Sequence, residues 1–107
     1  MTDDVLKQLQ ATLESRKRAD PATSYVAGLY QKGSEAITKK IGEEATEVVI
    51  AANSGDKAAI IHETADLWFH TLVMLAHTGL GAEDILRELQ QRFGQSGLEE
   101  KAGRNKT

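Results

Sequence analysis

The amino-acid sequence predicts an all-α fold of four helices packed as a bundle. Three observations support this prediction. Apolar residues recur at three- and four-residue spacing over long stretches, which is the period of an amphipathic helix. The chain has one proline, and aromatic residues make up 5% of it, a composition that disfavours an all-β fold. Turn-forming segments such as "NSGD" and "GLG" separate the helical stretches,.

The predicted helices cover residues 3–18, 34–53, 57–78 and 82–93. The first carries Val5, Leu6, Leu9 and Leu13 on one face. Ser34 offers an N-terminal cap to the second helix, and Asp56 caps the third. The fourth has Ile85, Leu86, Leu89 and Phe93 on one side, and Gly94 is predicted to follow it as its C′ residue,.

Between the first two helices, the segment "ADPATSYVAGLYQKGS" is predicted to be irregular. Asp20-Pro21 breaks the first helix, and Gly28 and Gly33 disfavour a continuous regular element. A connection this long in a small domain is often functional.

Length, charge and composition narrow the classes of function. The 107 residues carry a net charge of −3 and are predicted to form one domain, residues 1–107, with a flexible tail after about residue 101. The acidic balance provides no basic face for DNA or RNA. The absence of cysteine fits a cytoplasmic protein, and we find neither a signal peptide nor an apolar run long enough for a membrane span,. Because a domain of this size buries a modest core, we expect a second copy to complete it as a homodimer.

An acidic residue lies within the apolar stripe of the second predicted helix, in "KKIGEEATEVVIAA". At 100° per residue, Glu44 falls within about 20° of Ile37, among the apolar residues. Glu47 lies at the edge of this stripe, on the same side as Lys40, whereas Glu43 turns outward. We therefore expect Glu44 to be turned towards the interior.

The third predicted helix repeats this pattern. Its circumference is mostly apolar, and its polar residues form one narrow strip, which consists of Glu63, Asp66, His70 and His77. Helices joined by a short turn pack as antiparallel neighbours, so the pair Glu44/Glu47 can face the pair Glu63/Asp66. Carboxylates that converge in a half-buried space either gain raised pKa values or bind a divalent cation. Ligand sets made of oxygen atoms suit Mg²⁺, or Mn²⁺ as the alternative.

Two other interpretations remain open at this stage. The acids of "EEATE" could form a solvated face with Lys39 and Lys40, as most charged runs do. His70 and His77 could support the metal ligands or lie at a dimer contact, and Trp68, Phe69 and Met74 belong to the core or to such a contact.

Several familiar motifs are excluded. "HETAD" at residues 62–66 resembles HExxH, but Asp66 stands where the second histidine should be,. The chain also has no P-loop pattern GxxxxGK[ST], no Glu-x-x-His pairs placed for a di-iron bundle, and no cysteine for a covalent intermediate.

The motif EExxE at residues 43–47, followed by ExxD at residues 63–66, resembles the MazG-like all-α NTP pyrophosphohydrolases. The flanking stretches "SYVAGLYQKGSEAITKKIGEEATEVVIAA" and "HETADLWFHTLVMLAHTGL", with the closing "FGQSGLEEKAGR", are similar to the phosphoribosyl-ATP pyrophosphohydrolase family. The resemblance covers residues 4 to 104 and departs from the family at none of the acidic positions.

This resemblance implies Mg²⁺-dependent hydrolysis of phosphoribosyl-ATP to phosphoribosyl-AMP and pyrophosphate, the second step of histidine biosynthesis, by a helical homodimer. Carried over by position, the metal ligands are Glu44, Glu47, Glu63 and Asp66. Glu43 matches the first acid of the motif, although it is predicted to turn outward.

The remaining roles follow from the chemistry of phosphoryl transfer, which needs charge neutralisation and a positioned water. Glu47 is the candidate proton acceptor, and Lys40 the candidate contact to the polyphosphate. Lys32 and Ser24 are candidate substrate contacts, and Tyr25 either contacts the base or ribose phosphate or packs within its loop. The alternatives for the whole chain are a housecleaning nucleoside triphosphate pyrophosphohydrolase and a non-catalytic helical interaction module.

Overall fold

The computed structural model describes the backbone of residues 2–93 and the side chains of residues 5–93. Over this range the chain forms five α-helices and no strands, so the predicted all-α class is confirmed. The elements are α1 (Thr2–Ser15) with a 3₁₀ turn (Arg16–Arg18), α2 (Tyr25–Lys32), α3 (Ser34–Ser54), α4 (Lys57–His77) and α5 (Ala82–Gln91). The predicted cap at Gly94 and the predicted tail after about residue 101 lie outside the described residues.

Helix α2 is the element that the sequence analysis missed, because it lies in the segment predicted to be irregular. Its start is fixed locally, since the Ser24 hydroxyl accepts a hydrogen bond from the backbone N–H of Ala27 at 3.1 Å. Gly28 lies inside the helix, and Gly33, at φ 94°, ends it. A serine cap and a terminal glycine are enough to define a helix of two turns.

The structure contains one of the two side-chain caps predicted for the long helices α3 and α4. The Asp56 carboxylate accepts hydrogen bonds from the backbone N–H groups of Ala58 at 3.0 Å and Ala59 at 3.2 Å, which confirms the predicted cap of α4. The predicted cap at Ser34 is wrong. Ser34 is already the first helical residue of α3, and Gly33 precedes it without a side-chain cap.

Helices α3 and α4 form a helical hairpin, which is the most extensively packed pair of elements among the described residues. The turn between them is short because Gly55 adopts a left-handed conformation, with φ 76°, directly before the cap residue Asp56,. Ile37 of α3 and Val73 of α4 are fully buried, together with Leu13 of α1. The hairpin therefore supplies much of the buried core, and it carries all of the predicted metal ligands.

Several large apolar residues remain exposed within the described chain. Trp68 is 60% exposed, which excludes it from the core of the protomer, whereas Phe69 and Met74 pack against the core. On α5, which ends at Gln91 rather than at the predicted Phe93, the apolar side chains are also partly exposed. None of the described helices has both the length and the apolar character that crossing a membrane requires.

Candidate functional site

The acids of α3 are oriented as the helical wheel predicts. The side chain of Glu44 is 12% exposed, whereas that of the adjacent Glu43 is 51% exposed. Glu44 lies two helical turns after the fully buried Ile37, on the same face,. Glu47 is exposed. The packing of the hairpin therefore turns Glu44 inward and leaves Glu43 and Glu47 accessible to solvent.

The acids of α4 form a compact group with a histidine. Among the described residues, the one group of three or more potential metal ligands with all ligand atoms within 4.8 Å of one another is His62, Glu63 and Asp66. His62 Nε2 lies 3.4 Å from Asp66 Oδ2 and 3.9 Å from Glu63 Oε1. His62 is not among the predicted site residues, although its spacing of four residues from Asp66 places both on one face of α4.

The structure does not bring the four predicted carboxylates into this single compact group, because Glu44 and Glu47 lie outside it. Glu44 instead faces Lys40, whose Nζ lies 3.6 Å from Glu44 Oε1 and 3.6 Å from Glu43 Oε1. The site therefore has two parts: the compact group on α4, and a lysine held between two carboxylates on α3.

The pKa of Lys40 lies above its ordinary value, so its side chain is positively charged at neutral pH. The first cause of the raised pKa is the negative charge that Tyr25 carries when it is ionised; desolvation acts in the opposite direction, and the carboxylates of Glu43 and Glu44 raise the pKa further. A lysine that is protonated and about one-third exposed is chemically suited to bind the oxygen atoms of a polyphosphate.

Tyr25, the first residue of α2, connects α2 with the interior of the hairpin. Its hydroxyl lies 2.7 Å from Nε2 of His70, and Nδ1 of His70 lies 2.8 Å from the backbone carbonyl oxygen of Asp66. The Tyr25 residue is 56% exposed, but its hydroxyl end points at the buried His70.

The pKa of Tyr25 responds to the charges of the hairpin. Burial is the main reason that the pKa of Tyr25 lies above its ordinary value of 10.0, and Lys40 acts in the opposite direction. The carboxylates of Glu44, Glu43 and Asp66 raise this pKa further. One phenol is therefore influenced by charges from both helices of the hairpin.

A groove of about 400 Å³ runs along α2 and the loop before it. Three of the predicted substrate contacts line this groove: Ser24, Tyr25 and Lys32. The remaining lining residues are Pro21, Ala22, Thr23, Gly28, Leu29 and Gln31. The Ser24 hydroxyl already caps α2, which leaves its own O–H free to donate. Tyr25 lines this groove and also contacts His70 of the hairpin through its hydroxyl.

The two histidines that follow the acids on α4 have different surroundings. His70 is buried within the protomer and bonded to the backbone of Asp66, which fits the interpretation that it supports a metal ligand. His77 stacks on Tyr30, with ring centroids 5.9 Å apart, and the Tyr30 hydroxyl donates to the backbone carbonyl of Leu13 at 2.9 Å. His77 therefore contributes to packing between helices.

A larger groove, of about 610 Å³, lies between α1 and α5. It contains none of the predicted site residues. Its lining consists of Leu6, Lys7, Gln10, Ala11, Glu14, Ala82, Glu83 and Leu86. The predicted site residues therefore lie in the smaller groove and on the hairpin.

Comparison with known proteins gives a consistent result. A family model described as phosphoribosyl-ATP pyrophosphohydrolase matches residues 6–93. A phosphoribosyl-ATP pyrophosphatase from Methylococcus capsulatus is 60% identical over 101 residues, which cover 94% of this chain and 96% of the relative. Relatives of the same name from Hydrogenovibrio crunogenus and Chromobacterium violaceum are 54% and 52% identical, over 99% and 100% of this chain and 97% and 99% of their own lengths.

Proposed function

Because the chain belongs to the phosphoribosyl-ATP pyrophosphohydrolase family, within the MazG-like all-α superfamily, we propose that it hydrolyses phosphoribosyl-ATP to phosphoribosyl-AMP and pyrophosphate, the second step of histidine biosynthesis. The relatives that carry this name match nearly the whole chain. The observation on which the proposal depends most is the inward orientation of Glu44, 12% exposed, on the helix packed against the one that carries Glu63 and Asp66.

We propose that this site holds Mg²⁺, with Mn²⁺ as a substitute. The proposed ligands are Glu44 and Glu47 of α3 and Glu63 and Asp66 of α4, which supply the oxygen atoms that these ions prefer. Glu63 and Asp66 are already grouped, so the α3 acids would need a side-chain rearrangement to join them. When bound, the ion neutralises phosphate charge and lowers the pKa of a bound water.

The remaining groups of the site would position the substrate and accept a proton. Lys40, held between Glu43 and Glu44, would bind the polyphosphate by its charge. Glu47 is exposed, and a carboxylate oxygen of Glu47 that the ion does not bind would accept the proton of the attacking water. Hydrolysis of the anhydride between the α and β phosphates would then require no covalent intermediate.

The groove along α2 would hold the part of the substrate that does not react. In this proposal, Tyr25, which lines the groove and contacts His70 of the hairpin, would lie between the bound nucleotide and the acids of α4. Ser24 and Lys32 would donate hydrogen bonds to phosphate or ribose oxygens, and the exposed ring of Tyr25 would contact the base or the ribose.

We also propose that the protein is a cytoplasmic homodimer. Val49, Ile50, Ile61 and Trp68 are 58–71% exposed on the two helices of the hairpin, and burying such side chains against a second copy would be favourable. Sedimentation at micromolar concentration should give twice the chain mass of 11.7 kDa. Trp68→Glu should give the monomer mass, whereas Lys57→Glu, an exposed position on the same helix, should not.

A substrate comparison tests the proposed reaction. Pyrophosphate release would be measured with phosphoribosyl-ATP and, in parallel, with ATP, dCTP and dUTP at the same Mg²⁺ concentration. We expect the highest kcat/KM for phosphoribosyl-ATP. A higher value for any plain nucleotide would replace the proposal with a housecleaning pyrophosphohydrolase, and no turnover of any nucleotide would favour a non-catalytic interaction module.

A further inference from the structure

His70 is the one buried polar side chain among the described residues, with 6% of its surface exposed. Burying an imidazole is unfavourable unless its nitrogen atoms are hydrogen-bonded. Both are: Nδ1 with the backbone carbonyl of Asp66 at 2.8 Å, and Nε2 with the hydroxyl of Tyr25 at 2.7 Å. The position of this histidine is thus defined by one partner on its own helix and one on α2.

These two contacts determine which ring nitrogen carries the proton. A carbonyl oxygen can only accept, so Nδ1 must be the protonated nitrogen of the neutral ring. Nε2 is then an acceptor, and the Tyr25 hydroxyl must donate to it. The proton of this phenol is therefore directed into the protein, and its oxygen lone pairs are left for a partner on the outer side.

The rings around His70 restrict its rotation. Tyr25 meets it edge to face, with centroids 5.8 Å apart, and Phe69 does the same at 5.3 Å. The hydrogen bonds and the packing together fix the imidazole, and the imidazole in turn fixes the hydroxyl of Tyr25, a residue that is otherwise 56% exposed.

We propose that His70 is a positioning residue, which holds Tyr25 at the junction between the substrate groove on α2 and the acidic site of the hairpin. The inference rests on the proposed function for its substrate, because Tyr25 is one of the proposed contacts. His70 touches no substrate itself. By joining Tyr25 to the backbone of Asp66, it keeps the wall of the groove in a constant position relative to the carboxylates of α4.

A double-mutant cycle tests this role through substrate binding. Tyr25→Phe removes the hydroxyl, and His70→Asn keeps a donor near the Nδ1 position but loses the acceptor for Tyr25. Each should raise KM for phosphoribosyl-ATP by about three- to tenfold, the range expected for one hydrogen bond, with little change in kcat. The KM of the double variant should be no higher than that of the single variant with the larger KM, because both substitutions remove the same interaction.

Matched controls are available on the same elements. Tyr30→Phe removes a hydroxyl that donates to the backbone of Leu13, and His77→Asn repeats the histidine substitution two turns further along α4. Both should leave KM unchanged. Three results would overturn the proposal. The effects of Tyr25→Phe and His70→Asn on KM could add in full, the two substitutions could change kcat alone, or the two control variants could show the same increase in KM.

A second measurement does not depend on turnover, and its first part uses the wild-type protein alone. In protein with ¹⁵N-labelled histidine at pH 8, long-range nitrogen–proton spectra should show His70 as the Nδ1–H tautomer. In Tyr25→Phe, the resonance of Nε2 of His70 should shift, and those of His62 and His77 should not. An Nε2–H tautomer, or an unchanged Nε2 resonance, would contradict the inference. If the wild-type protein does not hydrolyse phosphoribosyl-ATP, the proposed function fails, while these spectra still decide whether His70 positions Tyr25.

Discussion

Replacing Glu44 with glutamine, compared with the same replacement at Glu43, separates a metal-binding carboxylate from a surface one. The two residues are neighbours in the chain, and each has an oxygen atom 3.6 Å from the same Lys40 nitrogen. They differ in exposure, 12% for Glu44 and 51% for Glu43. Each substitution keeps the shape of the side chain and removes one negative charge, so a difference in activity reflects orientation.

The expected magnitudes differ between stability and activity. Glu43→Gln loses a largely exposed ion pair with Lys40, which contributes about 0–1 kcal/mol,. Glu44→Gln loses the corresponding pair but also removes the charge from a side chain that is 12% exposed, and these two effects on stability oppose each other,. In a chain of 107 residues, 1 kcal/mol corresponds to roughly 4–5 °C in Tm, so both variants should melt within about 5 °C of the wild-type protein. Loss of a metal ligand should cost several kcal/mol of transition-state stabilisation, or roughly 10²- to 10⁴-fold in kcat/KM, and only Glu44→Gln should show it.

The assay is continuous pyrophosphate release from phosphoribosyl-ATP across a Mg²⁺ titration, combined with thermal unfolding of the metal-free proteins. Glu43→Gln should retain activity within about tenfold of the wild-type protein. Full activity of Glu44→Gln at saturating Mg²⁺ would refute its assignment as a ligand. Equal losses in both variants would show that the inward orientation of Glu44 has no functional consequence.

Three further predictions follow from the core, the tyrosines and the metal. Ile37→Ala, which empties a fully buried position, should cost about 2–5 kcal/mol and lower Tm by roughly 10–20 °C, whereas Ile61→Ala, at a position 71% exposed, should change Tm little. Absorbance titration should show Tyr25 and Tyr30 ionising above pH 10.0, mainly because of burial. Both tyrosines therefore contribute stability that is fully present below the ordinary pKa of 10.0 and is lost as pH rises through the raised pKa of the folded protein,. Lys40→Ala should move the ionisation of Tyr25 to still higher pH, because Lys40 lowers the pKa of Tyr25. EDTA should abolish pyrophosphate release, and excess Mg²⁺ should restore it; activity that persists in EDTA would rule out a metal-dependent reaction.

The sequence predicted the long helices and the direction of their acids because both follow from periodicity. The apolar stripe of α3 is regular enough to show that Glu44 points inward and Glu43 outward, and Asp56 marks the start of α4 by its capping chemistry. Helix α2 was missed because Gly28 and Pro21 weigh against a regular element, whereas a cap at Ser24, which forms only in the folded segment, stabilises it.

Individual side-chain contacts between helices could not be predicted from the sequence. His70 was assigned to a polar strip, but its contact with Tyr25 joins residues 45 positions apart in the chain, and no helical period contains that information. The pairing of Glu44 with Lys40 follows from their spacing of four residues on α3,. That Glu44 and Glu47 lie outside the compact group on α4 depends instead on how the two helices pack. Trp68 was interpreted as core or interface, and only its 60% exposure in the protomer excludes the core.

In the proposed mechanism, carboxylates from both helices of the hairpin hold one catalytic metal site. A crystal of the protein with Mn²⁺ and a non-hydrolysable analogue of phosphoribosyl-ATP, measured at the manganese absorption edge, tests it most directly. We expect an anomalous peak within coordination distance of Glu44 on α3 and of Glu63 and Asp66 on α4, with the analogue's phosphates beside Lys40. A peak bound by residues of α4 alone, or located away from the hairpin, would contradict it.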